Sequence, residues 1–163
     1  MVGWADLKIT IAAESFESAD ARRLIAALDA HLSRRYSPNE RFGPNLKLEH
    51  LAPGVGTFVL ARAEGRAIGC GALRKLDDTT AEVKRMYVDP EVRGRGVGNK
   101  ILEHLEAAGR DLGAHRLVLE TGIYQAEAIA LYRRAGFKPI CCWGDYAETG
   151  TSACFEKRID GHT

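Results

Sequence analysis

Apolar residues nowhere run on for the roughly 18 positions that a membrane-spanning helix needs. The opening stretch, MVGWADLKIT, carries the acidic Asp6 and has no apolar block of signal-peptide length. Neither sign of charge is in excess, with 23 Lys and Arg against 22 Asp and Glu. A general nucleic-acid binder would carry a clearly basic domain, so the balance argues against that class, though not against a local basic patch. Cysteine is sparse and has no metal-site spacing. None of Cys70, Cys141, Cys142 and Cys154 forms a C-x-x-C pair, which argues against zinc. As neighbours, Cys141 and Cys142 are poorly placed to bridge each other. Four reduced thiols in a soluble cytoplasmic protein are therefore expected, with no membrane or nucleic-acid partner and no metal. Internal repeats and low-complexity tracts are also missing.

What remains is one domain's worth of chain. The 163 residues are 45% apolar, enough for one sizeable core, and 1–163 is expected to form a single domain. DLKITIAA alternates like a first strand. Ser18 is placed to cap a helix whose Ala21, Leu24, Ile25, Leu28 and Leu32 share a face. From Tyr36 to Gly56 proline and glycine break the pattern, although NLKLEHL can make a short helix. TFVLARAEGRAIGCGAL reads as a hairpin turning at Glu64-Gly65-Arg66, and AEVKRMYV as the next strand. A helix follows with Ile101, Leu102, Leu105, Ala108 and Leu112 inward. Then come the strand HRLVLET and the helix QAEAIALYRRAG, closed by Gly136, and finally two strands, FKPICCW and SACFEKRI. The order β-α-α-β-β-β-α-β-α-β-β predicts an α/β fold, a mixed sheet of about seven strands flanked by helices, with a parallel crossover in the middle.

The segment between the central strand and its helix is chemically unusual. It reads Arg93-Gly94-Arg95-Gly96-Val97-Gly98-Asn99. A helix N-terminus exposes unpaired N–H groups and a partial positive charge, and glycines let an anion approach them. The turn can therefore cradle a phosphate, or its glycines can serve backbone angles alone. The known nucleotide motifs fail. A P-loop counted from Gly94 meets Asn99 where its second glycine belongs, and G-x-G-x-x-G meets Asn99 or Ile101.

What is left, a strand ending Met86-Tyr87-Val88, an Asp-Pro link and Arg93-x-x-Gly96-x-Gly98 opening a helix, resembles the acyl-CoA-binding segment of the GNAT superfamily of N-acetyltransferases. A second block, LETGIYQAEAIALYRRAGFKPI, is similar to that family's later strand and its A-x-x-L-Y-x-x-x-G-F helix. The resemblance implies a GNAT-like fold and acetyl-CoA as acyl donor. Its diphosphate would rest on the N–H groups of Gly94, Arg95, Gly96, Val97 and Gly98, with Asn99 next in line and Arg93 adding charge. The pantetheine arm would pair with Met86, Tyr87 and Val88. A bulge would splay that strand from its neighbour and leave a gap for the acyl group, where a backbone N–H polarises the thioester, worth roughly 3 kcal/mol per donor. Gln125 stands where the family usually has Asn, so its contact with the cofactor involves a longer arm. The last strands imply a possible homodimer.

Amide formation from a thioester needs a neutral amine, and at pH 7 only about one alkylamine in a thousand is neutral, a cost of ~4 kcal/mol. Glu82 is the candidate base, on the same strand face as Lys84 and Met86 by alternation; a strand carboxylate paired with Lys84 is the plain alternative. Glu120 is the second candidate. Tyr132, at the family's tyrosine position, would return a proton to the CoA thiolate, although its helical stripe turns it inward in any case. Tyr36, Glu40 and Arg41 fall where the family builds part of its acceptor pocket. The acceptor expected is a primary amine of a small molecule, an amino acid or a related metabolite or xenobiotic. A protein Lys or N-terminus, or a non-catalytic acyl-CoA sensor, are the alternatives.

Overall fold

The computed structural model describes residues 8–37 and 46–161. Seven strands form one sheet: β1 (Ile9–Ala13), β2 (Gly56–Ala63), β3 (Arg66–Lys75), β4 (Thr80–Val88), β5 (Arg116–Gly122), β6 (Lys138–Ile140) and β7 (Ser152–Arg158). Three α-helices cover it: α1 (Ala19–Arg35), α2 (Val97–Asp111) and α3 (Ala126–Arg134). The sheet order is β1-β2-β3-β4-β5-β7-β6. Only β4 and β5 pair in parallel, and α2 provides the crossover that parallel neighbours require.

Local chemistry explains most boundaries. Ser18 accepts a hydrogen bond from Ala21 N and starts α1. The β2–β3 hairpin turns on two residues in the left-handed region, Glu64 (φ 51°) and Gly65 (φ 81°), while Ala63 already pairs with Arg66. At the end of α3, Gly136 (φ 96°) lets its own N–H bond Arg133 O and the Phe137 N–H bond Tyr132 O, a double closure that pins the last turn. The short helix expected in NLKLEHL is a single 3-10 turn, Leu48–Leu51. The strand expected over FKPICCW keeps only Lys138–Ile140, and a 3-10 turn at Gly144–Glu148 follows it.

Apolar residues fill both sides of the sheet. Ile101, Leu102 and Leu105 of α2 are fully buried against Leu73, Val83, Leu117 and Leu119. On the other face Ala21 and Leu24 of α1 meet Phe58, Leu60, Cys70 and Ala72. Cys70 is buried and free, as expected.

The expectation of four reduced thiols is corrected. Cys142 and Cys154 form a disulfide across the β6–β7 connection. Antiparallel pairing of Ile140 with Cys154 brings position 142 back beside β7, which the spacing of cysteines alone does not reveal.

Candidate active site

The site begins where the sheet comes apart. β4 and β5 pair from Thr80 and Arg116 only as far as Val83 and Leu119. Beyond that point β4 turns away. On its other side Cys70 pairs with Tyr87 and Ala72 with Lys84, so Arg85 and Met86 both lie opposite Gly71. Arg85 takes φ 57°, a conformation rare for a residue with a side chain. It is held by its Nη1 donating to Asp29 Oδ1 of α1 (2.9 Å) and by Cys70 Sγ donating to its carbonyl (3.3 Å). Such a bulge re-aims side chains. Glu82 and Lys84 share the α1 face as alternation predicts, but Met86 moves to the α2 face, where its sulfur approaches Gly71. The expected common face of Glu82, Lys84 and Met86 is corrected to that extent.

On the α2 side of this split a cleft of about 680 Å³ runs along Met86, Tyr87 and Val88 to the start of α2. Arg93, Gly94, Gly96, Val97, Gly98, Asn99, Gln125 and Tyr132 also line it, so all but one of the residues expected around the cofactor meet in a single cavity. The exception is Arg95, which is exposed and forms no part of the wall. Leu28 and His31 of α1, not foreseen in the sequence as site residues, also line it. Gly94 and Gly96 have φ of 80° and 82°, which let the chain turn sharply into α2. The helical ladder starts with Lys100 N bonding Gly96 O. The N–H groups of Val97, Gly98 and Asn99 therefore have no carbonyl one turn back. Gly98 serves packing: a Cβ there would collide with Leu131 of α3. Arg93 folds back on β4, its Nε donating to Val88 O (3.0 Å) and its guanidinium lying over the Tyr87 ring. Gln125 Oε1 accepts from Arg35 Nη1 and from His31 Nε2, each at 3.1 Å. Burial lowers the His31 pKa, which keeps the imidazole neutral at pH 7.

Tyr132 packs against Phe137 and Phe155 and is 6% exposed. Burial, with the Glu120 charge adding to it, pushes its pKa up, so its hydroxyl keeps its proton. It can therefore donate a strong hydrogen bond to an anion in the cleft.

The opposite side of the split is polar. Glu82 is 1% exposed; its Oε1 accepts from Arg74 Nε (3.0 Å) and its Oε2 from the Tyr146 hydroxyl (2.9 Å). Lys84 Nζ donates to the same hydroxyl (3.0 Å). Glu120 accepts from Ser152 Oγ (2.6 Å), which in turn accepts from Thr149. Burial raises the Glu120 pKa and lowers that of Lys84. Tyr36 lies over Gly122, where a Cβ would land on its hydroxyl, and that hydroxyl accepts from Tyr124 N (2.9 Å). Glu40 and Arg41 lie outside the described residues. Arg74 and Tyr146 were not singled out by sequence, because no local pattern marks them. Among the described residues no cluster of His, Cys, Asp or Glu is arranged to hold a metal, and no helix is long and apolar enough to cross a membrane.

Comparison with known proteins agrees with this architecture. An IAA acetyltransferase of Azospirillum brasilense is 39% identical over 152 residues, 93% of this chain and 98% of that one. A Klebsiella pneumoniae structure described as an acyl-CoA N-acyltransferase shares 37% identity and superposes with a TM-score of 0.79 over 95% of this chain and 99% of the other. A GNAT family acetyltransferase of Elizabethkingia anophelis, solved with acetyl-CoA bound, shares the fold at a TM-score of 0.65 and 21% identity, covering 92% of this chain and 97% of that one. Residues 21–137 match the acetyltransferase (GNAT) family profile. With a split β4–β5 pair, a glycine-led α2 and that match over most of its length, the chain belongs to the GNAT family of N-acetyltransferases.

Proposed function

We propose that the protein moves an acetyl group from acetyl-CoA to the primary amine of a small molecule, an amino acid or a related metabolite or xenobiotic, by direct transfer in a ternary complex. The supporting observation is the division of the split sheet. On one side a cleft ends at bare helix N–H groups suited to a diphosphate. On the other lie the buried Glu82 carboxylate and, half-buried, the Glu120 carboxylate and the Lys84 amine. Donor and acceptor can then meet only through the gap beyond Val83 and Leu119. The acetyl-CoA bound to the Elizabethkingia protein supports the choice of donor.

In this reading the pantetheine arm lies along Met86, Tyr87 and Val88. Glu82 takes the amine proton through water, with Glu120 as the second candidate. Tyr132 hydrogen-bonds the departing thiolate. A base in the site lets the abundant ammonium form bind and lose its proton there, so the reaction need not wait for the neutral amine whose scarcity in solution corresponds to ~4 kcal/mol. A small acceptor is favoured because Glu82, Tyr146 and Tyr36 are nearly enclosed, which suits a compact ligand better than a chain segment.

The test is a thiol-release assay with acetyl-CoA over amino acids, polyamines, aminoglycosides and peptides. Turnover with a free amine and none with peptides is expected. Turnover with peptides alone would replace the small acceptor by a protein one. Acetyl-CoA binding without release for any amine would leave an acyl-CoA sensor.

A further inference from the structure

Glu82 is 1% exposed, so a proton it accepts from the site's water has little direct contact with bulk solvent through which to leave. Among the described residues two hydrogen bonds reach its carboxylate. One comes from Arg74, whose guanidinium is a donor with no acceptor site and so cannot carry a proton onward. The other comes from Tyr146, whose hydroxyl both donates and accepts. It donates to Glu82 at 2.9 Å and accepts from Lys84 Nζ at 3.0 Å. Carboxylate, phenol and amine thus form an unbroken chain. Tyr146 reaches it from a distant segment, with the Trp143 ring set edge-on against its own at 5.2 Å between centroids.

We propose that Tyr146 is the positioning residue of Glu82 and passes the amine's proton on to Lys84. This rests on the reading of Glu82 as base of an amine acetyltransferase. The step balances. The carboxylic O–H of protonated Glu82 goes to the Tyr146 oxygen as the Tyr146 O–H goes to the neutral Lys84 amine. Carboxylate, phenol and ammonium result, and the ammonium then releases its proton to solvent. Lys84 must begin neutral, and burial favours that form. Charges that act on it include Glu82 and Arg85 on its own strand, Arg74 from β3 and Glu120 from β5. The two carboxylates hold the proton once it arrives, and the two guanidiniums help to expel it. Burial and the Glu82 charge keep Tyr146 itself from ionising, so it conducts only by giving and taking at once.

The experiment uses the acceptor found in the amine panel and compares wild type, Tyr146→Phe, Lys84→Met and the double variant. Each single change keeps the shape of the side chain. Each is expected to lower kcat about 10- to 100-fold with KM for acetyl-CoA unchanged. The rise of kcat with pH that follows Lys84 deprotonation should vanish in Lys84→Met. The double variant should be no slower than the slower single, since both break one chain. Wild-type kcat and pH profile in Tyr146→Phe, or losses that multiply in the double variant, would overturn the relay while leaving acetyl transfer intact. A raised KM with a lowered melting temperature would show a purely structural role and overturn it too. If the wild-type protein binds acetyl-CoA but frees thiol with no amine, the transferase reading falls and the relay with it.

Discussion

Tyr132 illustrates how one residue can answer to packing and chemistry together. Its ring closes the core against Phe137 and Phe155, while the same side chain forms part of the cleft wall. With its pKa pushed up, full proton transfer to a thiolate is uphill, so in the proposed reaction its part is to donate a hydrogen bond that strengthens as the C–S bond breaks. Tyr132→Phe keeps the ring and removes the donor. It should lower kcat about 10²-fold, as loss of one such donor does, and leave the Kd for acetyl-CoA unchanged. Stopped-flow turnover beside calorimetry reads both, and an unchanged kcat would remove the role. Position 132 was visible from the resemblance of Ala128-Ile129-Ala130-Leu131-Tyr132 to the family's A-x-x-L-Y. Tyr146 was not, because its partners Glu82 and Lys84 lie 64 and 62 positions away. A contact at that separation has no periodicity to betray it.

Among elements, the start of α2 and the β6–β7 connection matter most for the site. Gly96 is the N-cap of α2 at φ 82°, and open space surrounds it. An aspartate there would fold its own carboxylate onto the free N–H groups and repel a diphosphate. Gly96→Asp should therefore raise the Kd for CoA at least ~10-fold, about 1.4 kcal/mol, without unfolding the helix. Titration calorimetry with a parallel melting curve checks it, and unchanged affinity would place the diphosphate elsewhere. The β6–β7 connection carries Tyr146 and is closed by Cys142–Cys154, 12 positions apart. A loop of that size loses about 3 kcal/mol of closure entropy in the unfolded chain. Dithiothreitol should lower stability by about 2–3 kcal/mol in denaturant titration, and speed amide exchange over 144–148. Identical curves with and without reductant would show that the bridge contributes nothing.

For the whole molecule the notable trade is between stability and the buried charges of the site. Burial raises the Glu120 pKa above its unfolded value of 4.5. Below pH 4.5 the carboxyl is protonated in both states and costs nothing. As pH climbs through the raised folded value, ionisation costs the folded state more than the unfolded one, and stability is lost. Glu120→Gln should accordingly melt higher than wild type at pH 7, with the gap closing as pH falls toward 4.5. Scanning calorimetry from pH 4 to pH 8 reads the difference, and a gap that widened toward low pH would reverse the assignment. A protein keeps such a charge at a cost when activity requires it.

Sequence alone determined what neighbouring residues decide among themselves. The helical stripe Ile101, Leu102 and Leu105, the Ser18 cap, the Gly136 stop and the glycine turn into α2 are all local, and each stands where its spacing put it. Only the tertiary structure decided the rest. The left-handed Arg85 that sends Met86 to the other face depends on Asp29 of α1 and on Cys70 of β3. The Cys142–Cys154 bridge depends on how β6 meets β7, and the Glu82–Tyr146–Lys84 chain on a turn brought in from beyond α3. Periodicity records which way a side chain points along its own element. Bulges, bridges and buried polar contacts are settled by the neighbours that folding brings alongside.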